Sequence, residues 1–225
     1  MADYTPSELN YEPRRFFGHD GRVIRGRREC GDPLIFSGRG GVDKVAVFLD
    51  GGYIEKVLHQ DFRGGWIDLE KLSARMANPD ELFRSYFYHC LPYMGENPSR
   101  EDRARYSARH RLITALGFLP RFEVRLGRLA YQGGEYVQKR VDCMVGVDMA
   151  LLAAKGKIHR VALFSGDSDL MPAVEAVKRE GVLVTLWHGV GDRTKPSRDL
   201  FGICDERREL TWEVFSEIKK SRGVV

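Results

Sequence analysis

The sequence predicts an α/β fold: a Rossmann-like three-layer sandwich around a mostly parallel central sheet. Two short apolar runs, Val45 to Leu49 and Val161 to Phe164, each lead into a turn that carries an aspartate. Continuous apolar runs of this length are what strands buried on both faces of a parallel sheet require. The second run continues through Gly166-Asp167-Ser168-Asp169, a helical stretch from Leu170 to Glu180, Gly181, and another apolar run from Val182 to Trp187. Strand, tight turn, helix, glycine cap and strand make a βαβ unit, which demands parallel strands and a right-handed crossover.

Residues 1–42 lack sustained periodicity and mix Gly21, Gly26, Gly31, Gly38, Gly40 and Gly41 with arginines and aromatics, as a basic arm does. The folded domain is expected over 43–225. Its first strand, Lys44 to Asp50, ends in a carboxylate and two glycines, and a helix from Tyr53 to His59 follows. Asp68 caps a second helix through Ala77, with Leu69, Leu72 and Met76 on one face. Leu82 to Cys90 alternates aromatics with small or polar residues and suits a strand. Glu101 to Leu116 is an arginine-rich helix with Tyr106, Ile113 and Leu116 as its apolar stripe, stopped by Gly117. Arg121 to Tyr136 reads as a strand and then a loop or hairpin about Gly127 and Gly133-Gly134, ahead of an apolar helix from Val141 to Ala154. Pro172 falls in the first turn of the helix after Asp169, where its missing N–H costs nothing. Ser197 to Cys204 and Thr211 to Lys219 supply closing helices.

A chain of 225 residues, 43% of them hydrophobic, can bury one sizeable core and is not broadly disordered. No run approaches the roughly 20 apolar residues of a membrane span, and Met1 to Pro13 shows no basic segment followed by an apolar one, so a cytoplasmic location is expected. Cys30, Cys90, Cys143 and Cys204 form no CxxC pair and read as reduced structural thiols, while the histidines lack zinc-site spacing. The net charge of +4 is mild, but arginines cluster in the arm, at Arg25, Arg27 and Arg28, and on the predicted helix, at Arg103, Arg105 and Arg109. Clustered arginine attracts polyanions, although a solvated charged face is the plainer reading of either cluster.

In an open parallel sheet, ligands bind beyond the carboxyl ends of the strands. Asp50 and Asp167 are expected there, Asp169 lies on the same turn as Asp167, and Asp142 opens the helix after Lys139-Arg140-Val141. Taken singly, each is as readily a turn former or a helix cap. Together they would repel one another unless a cation is bound, and hard oxygen ligands suit Mg²⁺ or Mn²⁺. Such an ion activates water and neutralises charge on a phosphodiester.

VAVFLDGGY at 45–53, KRVDCMVGVDMALLA at 139–153 and VALFSGDSDLMPAVEAVKREGVLVTLW at 161–187 resemble the NYN (LabA-like) family of PIN-like domains over roughly residues 44–215. The resemblance implies a PIN-like α/β sandwich and divalent-metal-dependent cleavage of RNA; an endoribonuclease is the first reading, while the sequence leaves endo- versus exonucleolytic mode open. The resemblance places Asp50, Asp142, Asp167 and Asp169 at the family's acidic, metal-holding positions. Asp148, Lys139 and Ser165 are second-tier candidates; Asp148 lies six residues after Asp142 and so faces elsewhere on a helix. The six arginines named above would then hold RNA phosphates, and Tyr53, Tyr131 or Trp187 would stack on unpaired bases unless they belong to the core. Ser197, Leu200 and Asp205 match the family's closing pattern. Gly51-Gly52-Tyr53 departs from the usual DGxN-like turn, and Leu170 replaces the common Phe. The competing readings are a non-catalytic RNA-binding domain and a haloacid-dehalogenase-like phosphatase, whose DxD motif Asp50-Gly51-Gly52 lacks. The sequence leaves oligomeric state open, a homodimer included.

Overall fold

The computed structural model describes residues 43–132 and 135–220. The predicted arm, with Arg25, Arg27 and Arg28, lies outside the described residues. Strand β1 (Lys44–Asp50) runs straight into helix α1 (Gly51–Asp61), because Asp50 is the N-cap and its side chain accepts from Tyr53 N at 3.0 Å. The helix therefore starts two residues earlier than Tyr53, with both glycines in its first turn. Gly51 is required by close packing: a Cβ there would lie 2.5 Å from the His89 ring and 2.9 Å from the Tyr88 carbonyl oxygen.

Helix α2 (Leu69–Ala77) is capped by Asp68 and buries Leu69, Leu72 and Met76, as its periodicity requires. Strand β2 (Glu81–His89) leads to α3 (Arg100–Gly117), whose start is fixed by a reciprocal capping box between Ser99 and Asp102. Strand β3 (Phe122–Leu126) ends at Gly127, where a Cβ would meet Val141 Cγ2 at 2.7 Å and the Lys139 carbonyl at 2.8 Å. The chain then forms an antiparallel hairpin, β4 (Arg128–Gln132) with β5 (Glu135–Lys139), separate from the main sheet. Helix α4 (Val141–Ala154), strand β6 (Arg160–Phe164), a single 3₁₀ turn at Ser168–Leu170, α5 (Met171–Arg179) and β7 (Leu183–His188) build the βαβ unit. The chain closes with α6 (Arg198–Ile203), β8 (Glu206–Glu209) and α7 (Trp212–Ile218). The sequence reading gave no strand at Glu206–Glu209. Its charged side chains mask an edge strand whose backbone pairs with β7.

The main sheet has the order β3-β2-β1-β6-β7-β8, and every pairing in it is parallel. From β1 the chain winds outward through β2 and β3, and from β6 it winds the other way. The reversal lies between β1 and β6, and this opens a crevice at their carboxyl ends. Helices cover both faces. Val45, Val47 and Leu49 face one core with α1, α2 and α7, while Ala46 and Phe48 face the other with α4, α5 and α6. Truncating a fully buried member such as Met149 to Ala is expected to cost ~2–5 kcal/mol.

At the amino end of β6, away from the crevice, the buried Arg160 guanidinium donates to Asp80 Oδ2 at 2.8 Å and to the carbonyls of Met76 and Ala77. Removing one partner of such a pair costs ~3–5 kcal/mol. This contact locks α2 and the start of β2 beneath the sheet. Among the described residues, no helix is long and apolar enough to cross a membrane.

Candidate active site

Two strand ends define the site. Asp50 closes β1, and one carboxylate oxygen caps α1 while the other accepts from Ser165 Oγ at 3.2 Å. Ser165, fully buried just past β6, also accepts from Asp167 N at 3.3 Å through the same hydroxyl. Asp167 in turn caps the 3₁₀ turn by accepting from Asp169 N at 3.0 Å. The capping role and a place in the crevice thus coexist in Asp50 and Asp167. Gly166 sits between these groups because a Cβ there would lie 2.5 Å from the Tyr53 ring.

Asp142 enters from the other side, in the first turn of α4, which starts after Arg140 in a left-handed conformation at φ 74°. Burial pushes the Asp142 carboxyl above its ordinary range, and the charges of Asp167, Asp50 and Asp169 push it further. Burial also raises Asp50, partly offset by hydrogen bonds from Tyr53 N, Ser165 and Gly52 N and by nearby His89. Asp142 therefore lies within the field of the other three aspartates. None of the four has an ion-pair partner among the described residues. Nor are any three histidine, cysteine, aspartate or glutamate side chains there drawn together tightly enough to ligate a metal ion directly.

Beside Asp50 and Asp167 lies an open cleft of about 370 Å³, lined also by Gly52, Lys56, Ser168, Lys195 and Ser197. Neither lysine was singled out from the sequence. Lys56 had one usable signal, its position one helical turn after Gly52; Lys195 lies in a loop and had none.

A family model for the NYN domain matches residues 44–210. The chain belongs to the NYN domain family. NYN domains are generally ribonuclease-like. A search of solved structures gives a protein of unknown function from Vibrio parahaemolyticus, with a TM-score of 0.57 and 20% identity over 81% of this chain and 99% of that one. That likeness shows the fold alone. Comparison with curated proteins gave no match.

Within this NYN domain the remaining candidates separate. Asp148 lies apart from the aspartate group: it accepts from the buried Tyr88 hydroxyl at 2.8 Å and lies 3.4 Å from Arg125 Nε, a tie between α4 and the sheet. Lys139 is exposed at the end of β5. Of the helical arginines, Arg103 is exposed and has no side-chain partner among the described residues, whereas Arg105 pairs with Asp102 one turn away. Arg109 is turned inward onto Glu55 and His89, with His89 Nδ1 accepting from Cys90 N at 2.7 Å. Tyr53 and Trp187 are buried and belong to the core; the Tyr131 side chain lies outside the described residues. The Tyr53 hydroxyl donates to the Thr194 carbonyl and accepts from Gly189 N, and burial first, then Asp61 and Asp50, pushes it up to about 12.

Proposed function

We propose that this NYN domain is a divalent-metal-dependent ribonuclease that cleaves RNA internally, with Asp50, Asp142, Asp167 and Asp169 as its acidic centre. One observation carries the reading. The Asp142 carboxyl stands in the field of Asp167, Asp50 and Asp169 at the reversal point of a parallel sheet, and none of the four has a cationic side chain paired to it among the described residues. Such an arrangement is costly unless a cation relieves it.

The donor set suits Mg²⁺ or Mn²⁺. These hard ions take carboxylate oxygens, and Mg²⁺ keeps several waters and needs only one or two direct carboxylates, so the absence of a tight three-ligand cluster does not conflict with it. A bound ion would lower the pKa of a coordinated water and neutralise charge on the scissile phosphodiester. The protein's own part is orientation. Ser165 holds the Asp50 carboxylate and the Asp167 backbone in one register, and Asp142 makes no side-chain hydrogen bond to another described residue, which leaves both its oxygens for the site. Exposed Arg103 would contribute a phosphate contact to a bound strand.

The experiment is cleavage of a mixed single-stranded and structured RNA pool with Mn²⁺, Mg²⁺ or EDTA, beside Asp167→Asn. Cleavage that needs both the metal and Asp167 is expected, with the folded state of the variant intact because Asn also caps. RNA left whole in every lane would favour a non-catalytic RNA-binding domain, the reading to which the Gly51-Gly52-Tyr53 turn lends weight.

A further inference from the structure

Next to the aspartates, the cleft changes sign. Besides Asp50 and Asp167 it is lined by Lys56 from α1, Lys195 from the loop between β7 and α6, Ser168 and Ser197. Lys56 is exposed and has no hydrogen bond or ion pair among the described residues. Among the described residues Lys195 pairs only with Asp192, at 2.8 Å, and the Asp192 side chain is 95% exposed. An ion pair that open to solvent contributes little and is readily exchanged for another anion.

The loop that carries Lys195 is held far more firmly than a solvent connection needs. Asp61, at the end of α1, accepts from Thr194 Oγ1 at 2.7 Å, Val190 N at 3.0 Å and Gly191 N at 3.3 Å through one carboxylate oxygen. The Thr194 carbonyl takes the Tyr53 hydroxyl, while Thr194 N and Lys195 N both donate to the Gly191 carbonyl. Gly189 is required as well: a Cβ there would fall 2.5 Å from Thr194 Oγ1 and 2.6 Å from Asp61 Oδ2. Ser197 N, two residues beyond Lys195, donates to the Gly166 carbonyl and ties the loop to the turn that bears Asp167. These anchors fix the backbone around Lys195, whose ammonium is held only by the exposed Asp192 among the described residues.

We propose that Lys56 and Lys195 form a phosphate-binding subsite which holds a phosphodiester next to the one above Asp50 and Asp167. The ligand class is a single-stranded nucleic acid backbone, since the cleft is open and offers cations and hydroxyls rather than an enclosed base pocket. The proposal rests on the ribonuclease reading for the adjacent phosphate, but the subsite itself needs no metal and no turnover. Fixing the neighbouring phosphate would set which bond lies over the carboxylates.

The test uses the full chain in EDTA with a fluorescent single-stranded RNA oligomer. Anisotropy is followed across a salt series for wild type, Lys56→Ala, Lys195→Ala and the double variant. Each single change is expected to weaken binding about 5- to 10-fold and to make the log–log salt slope shallower by about 0.7, one backbone contact on a single strand. Acetylation footprinting of the wild type supplies a second readout: Lys56 and Lys195 should be protected by RNA while Lys155, on the exposed end of α4, stays reactive. Unchanged affinity and slope, unprotected lysines, or no RNA binding by the wild type would each overturn the subsite. Lysine-dependent binding without cleavage in Mn²⁺ would retain the subsite and reject the nuclease; cleavage without lysine dependence would do the reverse.

Discussion

Ser165 Oγ donates to Asp50 Oδ2 at 3.2 Å, joining the ends of two strands that are neighbours in the sheet but 115 residues apart in sequence. Ser165→Ala removes this bond and the one from Asp167 N. A hydrogen bond to a charged group contributes ~1.5–3 kcal/mol, so Tm should fall by several degrees. The Ser165 bond also lowers the Asp50 pKa, which burial raises. Losing it raises that pKa further, so the acid limb of any cleavage profile should move to higher pH and the rate should drop about tenfold, equivalent to ~1.4 kcal/mol. An unmoved acid limb would show that Asp50 does not need Ser165.

Asp142→Asn should stabilise the protein in EDTA at pH 7. The folded carboxyl titrates above its ordinary value, first through burial and then through Asp167, Asp50 and Asp169. Its ionised form therefore penalises the folded state at pH values above that raised pKa, and the penalty fades as pH falls through it. The variant's Tm advantage should be on the order of 1–2 °C, given solvent screening of a half-exposed group, and should vanish near pH 4. Added Mn²⁺ should raise the wild-type Tm and act less on the variant. Equal Tm values in EDTA at pH 7 would mean that the carboxylates stand too far apart to matter.

Arg103 and Arg109 share a helix but should answer differently. Arg103→Ala leaves Tm unchanged and weakens RNA binding with a shallower salt slope, as loss of an exposed phosphate contact does. Arg109→Ala should mainly lower Tm, by about 2 °C, because it strips Glu55 of its ion pair. The reverse pattern in a thermal shift and salt titration would exchange their roles.

Gly166→Ala should both destabilise the protein and disturb Asp167. The new Cβ would overlap the Tyr53 ring, an overpacking cost of ~1–3 kcal/mol. Pairing it with Tyr53→Ala frees the space, so the Tm losses of the two changes should be less than additive. Strict additivity would mean that the ring is not the obstacle.

Much of this was legible in the residues. Apolar runs that end in an aspartate or lead into an aspartate-bearing turn located β1 and β6, and the glycine after Glu180 located the crossover to β7, because burial on both faces leaves an unmistakable composition. The same logic failed at Glu206–Glu209, where an edge strand uses only its backbone, and at Gly51, where helix geometry begins inside a glycine pair. Asp148 was separated from Asp142 by helical arithmetic alone, but its bond to Tyr88 joins α4 to β2 and no local pattern encodes it. Lys195 was invisible for a similar reason: its position comes from Asp61 and Tyr53, more than a hundred residues earlier in the chain.

The β1–β6 pairing also bears on the birth of the protein. A chain emerging from the ribosome exposes Asp50 early, yet β6, Ser165 and Asp167 come only after more than a hundred further residues, and long-range parallel pairing is slow to form. Through most of synthesis the growing polypeptide therefore carries a lone carboxylate and no assembled centre. An RNA-cutting activity built this way would have no assembled centre until Asp167, about three quarters of the way along the sequence, has been made.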